Sequence, residues 1–182
     1  MNKKNEIIEA AITLLEEEGD ISSLNLRKTA KRAGCAHTNV YNYFPSLESL
    51  KWAMLEKALK MLEEEMFGSR METDRIISLL SRYMEFALKR PAIYKLIWTT
   101  ALVPEAAPSN VILLNRIPEK IISVMKANHP EWTEKECDEK ADILHSYIHG
   151  KILNLIFQRI PSNRLFEEKS AAIAVCSRLL SS

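Results

Sequence analysis

Between Ala30 and Leu50 the chain reads AKRAGCAHTNVYNYFPSLESL. His37, Thr38, Asn39, Tyr41, Asn42 and Tyr43 supply hydrogen-bond donors and acceptors there, and Glu48 is its one carboxylate. The stretch is either a tight bend between two core helices or a surface built to enter a groove of DNA. Bond-breaking chemistry finds little support. The 182 residues contain no Gly-rich phosphate loop, no Gly-x-Ser-x-Gly elbow, no His-Glu-x-x-His and no paired carboxylates with a partner base, so the chain does not read as an enzyme. Cys35 stands near Arg32 and His37, and nearby cations activate a thiol. A redox-responsive contact is one reading of it, an inert turn cysteine the other.

The elements that position these residues read as helices throughout. Gly and Pro number only 4 and 7, and apolar residues recur at spacings of three and four, which favours an all-α protein. Ile7, Ile8, Ala11, Ile12, Leu14 and Leu15 form the stripe of a first helix, about residues 3 to 18, ended by Gly19. Asn25 is the N-cap of a short second helix that stops at Gly34. A third runs from His37 to Phe44, closed by Pro45, and Ser46 caps a long fourth from Leu47 to about Met66. Further helices are expected over about 72–90, 91–103, 110–128, 133–159 and 163–180, the last capped by Ser162 or Asn163. The count is about nine. Residues 1–46 read as one domain and 47–182 as a second, with helix 47–66 connecting them.

Two short helices joined by a tight turn containing Gly form the pattern of a helix-turn-helix. On the third helix Val40 and Phe44, four apart, should face the core, and Thr38, Asn39, Tyr41 and Asn42 should face out. Lys+Arg 25 against Asp+Glu 24 gives a net charge of +1, so attraction to a polyanion must be local. From Ser22 to Lys51 the charges are Arg27, Lys28, Lys31, Arg32 and Lys51 against Glu48, a net +4.

IIEAAITLLEEEG followed by NLRKTAKRAGCAHTNVYNYFPSLESL resembles the N-terminal domain of TetR/AcrR-type transcriptional regulators, over about residues 5 to 55. The most specific part is AGxxxxxxYxYF, met by Ala33, Gly34, Tyr41, Tyr43 and Phe44. The resemblance implies that Tyr41 and Tyr43 grip the DNA backbone, a tyrosine hydroxyl donating to phosphate. It also implies that Arg27, with Lys28 beside it, reaches a base edge or phosphate, and that His37, Thr38, Asn39 and Asn42 read the major groove. Asn pairs bidentately with adenine, which points to an A·T-rich half-site. Three positions depart from the family's habit. Ala36 stands where Ser often caps the recognition helix, at a cost of about 1 kcal/mol. Thr29 stands where Ile is usual, and Leu47 where a phosphate-holding Lys is usual, a role Lys51 would take over in part.

PAIYKLIW and IHG at Ile148 to Gly150 are similar to the C-terminal domain of one subgroup. The family holds a small-molecule pocket in that domain, and Tyr83, Phe86, Tyr94, Trp98, Met125, His145 and His149 would give it a mostly apolar wall with a few polar tips. Plain core packing is the other reading of each. An apolar or aromatic effector follows from the scarcity of polar groups. Asp142, His145 and His149 share a helix face at metal-ligand spacing, yet paired histidines on an apolar helix are usually hydrogen-bonded core, so no metal and no cofactor are expected. Two copies on a two-fold axis would match a palindromic operator. Leu155, Ala171, Ala174, Val175 and Leu179 on the last two helices are the expected homodimer surface, against the alternative of a bundle closed within one chain.

Three scattered cysteines form neither a disulfide framework nor a metal motif, and no apolar run reaches about 18 residues, which together favour a soluble, cytoplasmic protein not addressed for export. The expected function is a DNA-binding transcriptional regulator, a repressor released by a small ligand. The alternative is a helical ligand-binding or interaction adaptor of the same fold with a weakened DNA grip, for which Ala36 and Leu47 are the hints.

Overall fold

In the computed structural model the described residues are 2–68, 75–100 and 108–181, with side chains of 108–110 left aside. They form nine α-helices and no strand: α1 Lys3–Glu18, α2 Leu26–Arg32, α3 His37–Tyr43, α4 Leu47–Phe67, α5 Ile76–Lys89, α6 Pro91–Thr99, α7 Pro108–Asn128, α8 Glu134–Ile156 and α9 Leu165–Leu180. Single 3₁₀ turns sit at Ile21–Ser23 and Ser162–Arg164. The all-α reading stands. Expected helical residues at 72–74 and 101–103 lie outside the described residues.

Local chemistry sets most helix ends. The Asn2 side chain accepts from the Lys4 backbone N–H at 3.1 Å and opens α1. Gly19 closes it at φ 73°, its N–H donating to the Leu15 carbonyl. Asn25 accepts from the Lys28 N–H at 2.9 Å at the start of α2, and the buried Thr29 hydroxyl donates back to the Asn25 carbonyl at 3.0 Å. Ser46 and Ser49 cap α4 reciprocally, each hydroxyl accepting from the other's backbone N–H at 3.0 and 3.2 Å. Thr133 and Glu136 form the capping box of α8.

The start of α9 differs from expectation. Ser162 and Asn163 lie in the 3₁₀ turn, α9 begins at Leu165, and no side chain caps it. The turn uses the local i→i+3 bond, Arg164 N–H to the Pro161 carbonyl at 3.0 Å, before the α-helix begins. α8 ends at Ile156 rather than 159, because Gln158 takes a left-handed φ of 53°. α7 runs through Pro118, which leaves one intrahelical bond unmade.

The chain divides into two compact units, residues 1–61 with 90–113 and residues 62–89 with 114–182. In the first, α1 packs on α2 and α6, and α2 on α3. Ile7, Ala11, Leu15, Val40, Leu50, Met54 and Ile93 are fully or almost fully buried there. Each large side chain among them stabilises by about 1.5–3 kcal/mol. Arg90 at the start of α6 pairs with Glu16 of α1 at 3.1 Å, and Lys57 of α4 pairs with Glu9. In the second unit α5, α8 and α9 pack on one another, with Leu79, Met84, Cys137, Ile148, Ile152 and Cys176 sealed from solvent. Ion pairs tie their edges: Lys151 to Glu168 at 3.0 Å, and Lys169 to Glu85 at 2.5 Å.

Candidate functional site

The helix-turn-helix unit is built by a seven-residue helix, a turn and another seven-residue helix. Gly34 makes the turn at φ 61°, in the left-handed region that only Gly adopts cheaply. The Cys35 N–H returns to the Ala30 carbonyl at 3.0 Å and sets the angle at which α3 leaves α2. Ala36 is the N-cap of α3 and makes no side-chain hydrogen bond. Val40 and Phe44 are buried, as their spacing requires. Thr38, Asn39, Tyr41, Asn42 and Tyr43 are exposed together, Tyr41 at 48% and Tyr43 at 41%. His37 is half-buried, its ring 4.9 Å from that of Tyr41 in an edge-on contact that orients both.

The basic residues of α2 divide by flank. Lys28 Nζ lies 2.9 Å from Glu18 and Arg32 2.5 Å from Glu17, so this side of α2 faces the acidic end of α1. Arg27 and Lys31, four residues apart on the other side, are exposed and form no ion pair among the described residues. Lys51 is half-buried and 3.5 Å from Glu48. Glu17 and Glu18 at the end of α1 are thus partners of two cations of α2. Ser23 and Lys28 hold the Glu18 carboxyl below its ordinary range by hydrogen bonding.

The residues expected to face an effector fall into two groups. In the second unit Tyr83, Phe86 and Met125 are buried, and Tyr83 Oη lies 3.2 Å from Nε2 of His145, whose ring centroid is 5.7 Å from that of His149. Burial pushes both imidazoles below their ordinary pKa, and for His145 the neighbouring His149 adds to this while Asp142 opposes it. In the first unit Tyr94 is buried and Trp98 is 40% exposed, with ring centroids 6.3 Å apart. Among the described residues no group of three or more His, Cys, Asp and Glu side chains is arranged to hold a metal ion. Cys35, Cys137 and Cys176 are free thiols, and burial raises that of Cys176 to about 11.

On α9, Ala171 and Ala174 are exposed and Val175 and Leu179 half-buried. Leu155 is buried in its own unit at 8% exposure. Ile143, Phe157 and Phe166, which composition alone did not single out, are exposed at 53%, 54% and 80%. Ile143, Gly150 and Phe157 recur at intervals of seven and share one face of α8 and its cap, a spacing that could have identified them.

The arrangement matches known folds over nearly its whole length. A protein of unknown function from Rhodococcus sp. RHA1 superposes with a TM-score of 0.83 at 19% identity, covering 98% of this chain and 95% of that one. A TetR transcriptional regulator from Rhodococcus sp. RHA1 gives a TM-score of 0.68 at 22% identity, over 98% and 97%. The chain has the TetR-type fold. The multidrug binding protein EbrR complexed with ethidium shares this fold at a TM-score of 0.67 and 21% identity, over 98% of each chain. No protein-family model matches the chain. Among the described residues no helix is long and apolar enough to cross a membrane.

Proposed function

We propose that the protein is a cytoplasmic, homodimeric transcriptional regulator that binds double-stranded DNA through α2 and α3. One observation carries the reading. The TetR-type fold presents Thr38, Asn39, Tyr41, Asn42 and Tyr43 to solvent on α3 while Val40 and Phe44 anchor that helix from beneath. Asn39 and Asn42 are the candidates for base edges, with Thr38 and His37 beside them. Tyr41, Tyr43, Arg27 and Lys28 are the candidates for the backbone, Lys28 on condition that it leaves Glu18. A second copy docks on the exposed apolar and small residues of α8 and α9, Ile143, Phe157, Phe166, Ala171 and Ala174. Pairing two heads matches a palindromic operator.

Repression relieved by a small apolar or aromatic ligand is the regulatory mode we favour. Aromatic and apolar side chains around the Tyr83 and His145 contact support it, as does the ethidium complex of a protein sharing the fold. The ligand would act by population shift, and a hundred-fold loss of operator affinity needs a coupling of about 2.7 kcal/mol. Selection of bound sequences from a random duplex library tests the reading. A two-fold symmetric motif is expected, and recovery of no enriched sequence would count against it.

A further inference from the structure

α1 opens with Lys3 and Lys4, forty residues upstream of the end of α3. Folding brings both to the reading head. Lys3 Nζ donates to the Ala33 carbonyl at 3.0 Å and to Glu6 at 2.8 Å, and so staples α1 to the end of α2. Lys4 Nζ lies 5.8 Å from the centroid of the Phe44 ring, within cation–π range, and Phe44 directly follows the exposed Tyr43 in the sequence. Lys4 is exposed and forms no ion pair among the described residues. Its placement follows from the fold. Asn2 caps the turn that carries it, accepting from the Lys4 N–H, and Ile7 and Ala11 on the same helix are sealed in the core.

Most other cations of the head are engaged: Lys3 with Glu6, Lys28 with Glu18, Arg32 with Glu17 and Lys51 with Glu48. Lys4 is therefore a positive charge with no ion pair among the described residues, placed at the C-terminal end of α3. We infer that Lys4 is a DNA-phosphate contact, acting with the Tyr43 hydroxyl at the C-terminal end of α3. The inference rests on the DNA-binding reading above. An ammonium on a flexible stem suits phosphate, and the Phe44 ring supports that stem without neutralising the charge. A phosphate contact carries no base information, so Lys4 contributes affinity and salt dependence rather than sequence choice.

Salt titration on the duplex selected by the wild-type protein tests this, with Lys4→Gln, Lys4→Arg and Arg27→Gln compared. Lys4→Gln should reduce the slope of log affinity against log salt by about 0.9 per subunit, leave the selected motif unchanged and leave the thermal midpoint close to wild type, and Lys4→Arg should restore the slope. A Lys4→Gln slope equal to wild type, with a reduced Arg27→Gln slope, would overturn the inference and leave the DNA-binding reading standing. A changed motif in Lys4→Gln would also overturn it, assigning Lys4 to bases. If the wild-type protein binds no duplex, the reading falls and the inference with it.

Discussion

Lys28 Nζ sits 2.9 Å from Glu18 Oε1 and 3.1 Å from Glu18 Oε2, so a lysine in the first turn of α2 is held by a carboxylate at the end of the preceding α-helix. Both groups are at the surface, where such pairs are weak and screened by salt. On the proposed DNA-binding function, phosphate and Glu18 compete for one ammonium. Glu18→Gln should strengthen duplex binding and steepen its salt dependence by up to about 0.9 per subunit, read by fluorescence anisotropy across a salt series. An unchanged slope would mean that Lys28 does not meet the backbone.

Ala36 offers a gain of stability at the start of α3. Its backbone already has N-cap geometry, φ −64° and ψ 144°, but no side-chain acceptor for the first turn of α3. Ala36→Ser supplies one and should stabilise the protein by about 1 kcal/mol. In urea the midpoint should rise with the slope unchanged. No rise would mean that the first-turn N–H groups are already satisfied by solvent.

Gly34→Ala probes the turn from the other direction. A Cβ there meets nothing within 4 Å, so the whole cost comes from its φ of +61°. A loss of about 1–2 kcal/mol is expected, the penalty of left-handed backbone for an L residue. The same urea experiment checks it, and a loss near zero would show that the turn relaxes.

Histidine titration should appear in the stability of the second unit. The folded-state pKa values of His145 and His149 lie below the ordinary value of 6.5, because burial disfavours the charged ring. Below that value the unfolded chain binds more protons than the folded one, so stability falls as pH drops from about 6.5 toward the folded pKa values. His145→Gln should flatten the acid side of a plot of thermal midpoint against pH. An equally steep acid limb in the variant would assign the loss to other groups.

Phe166 is 80% exposed at the start of α9, an unusual place for a phenyl ring unless a second chain covers it. Phe166→Glu and Ala174→Glu should each shift sedimentation from dimer to monomer while the helical circular dichroism is retained. A dimer that survives both changes would place the contact elsewhere.

Much of the helix-turn-helix unit is legible in the residues themselves. The four-residue spacing of Val40 and Phe44 forecasts their burial, and Asn25, Ser46 and Gly19 mark helix ends by local hydrogen bonding that needs no tertiary information. Contacts between helices are another matter. Nothing in LEEEG indicates that Glu17 and Glu18 will meet Arg32 and Lys28, and nothing in Lys4 points to Phe44, because those pairings depend on how α1 crosses α2 and α3. Leu155 illustrates the same limit, since an apolar residue on an amphipathic helix fits a neighbour within its unit as well as a second chain, and here it is buried. At α9 the 3₁₀ turn absorbs Ser162 and Asn163, two good capping residues that lie outside the helix they would have opened.

The central claim is that the exposed face of α3, with Arg27, holds duplex DNA. Its most direct test is the affinity of the wild-type protein and of an Arg27→Ala, Tyr41→Ala double variant for the selected duplex, each measured at two salt concentrations. Tight wild-type binding that weakens steeply with salt, together with at least a hundred-fold loss in a folded double variant, is the expected result. Equal binding by the two proteins, or none by either at low salt, would contradict it.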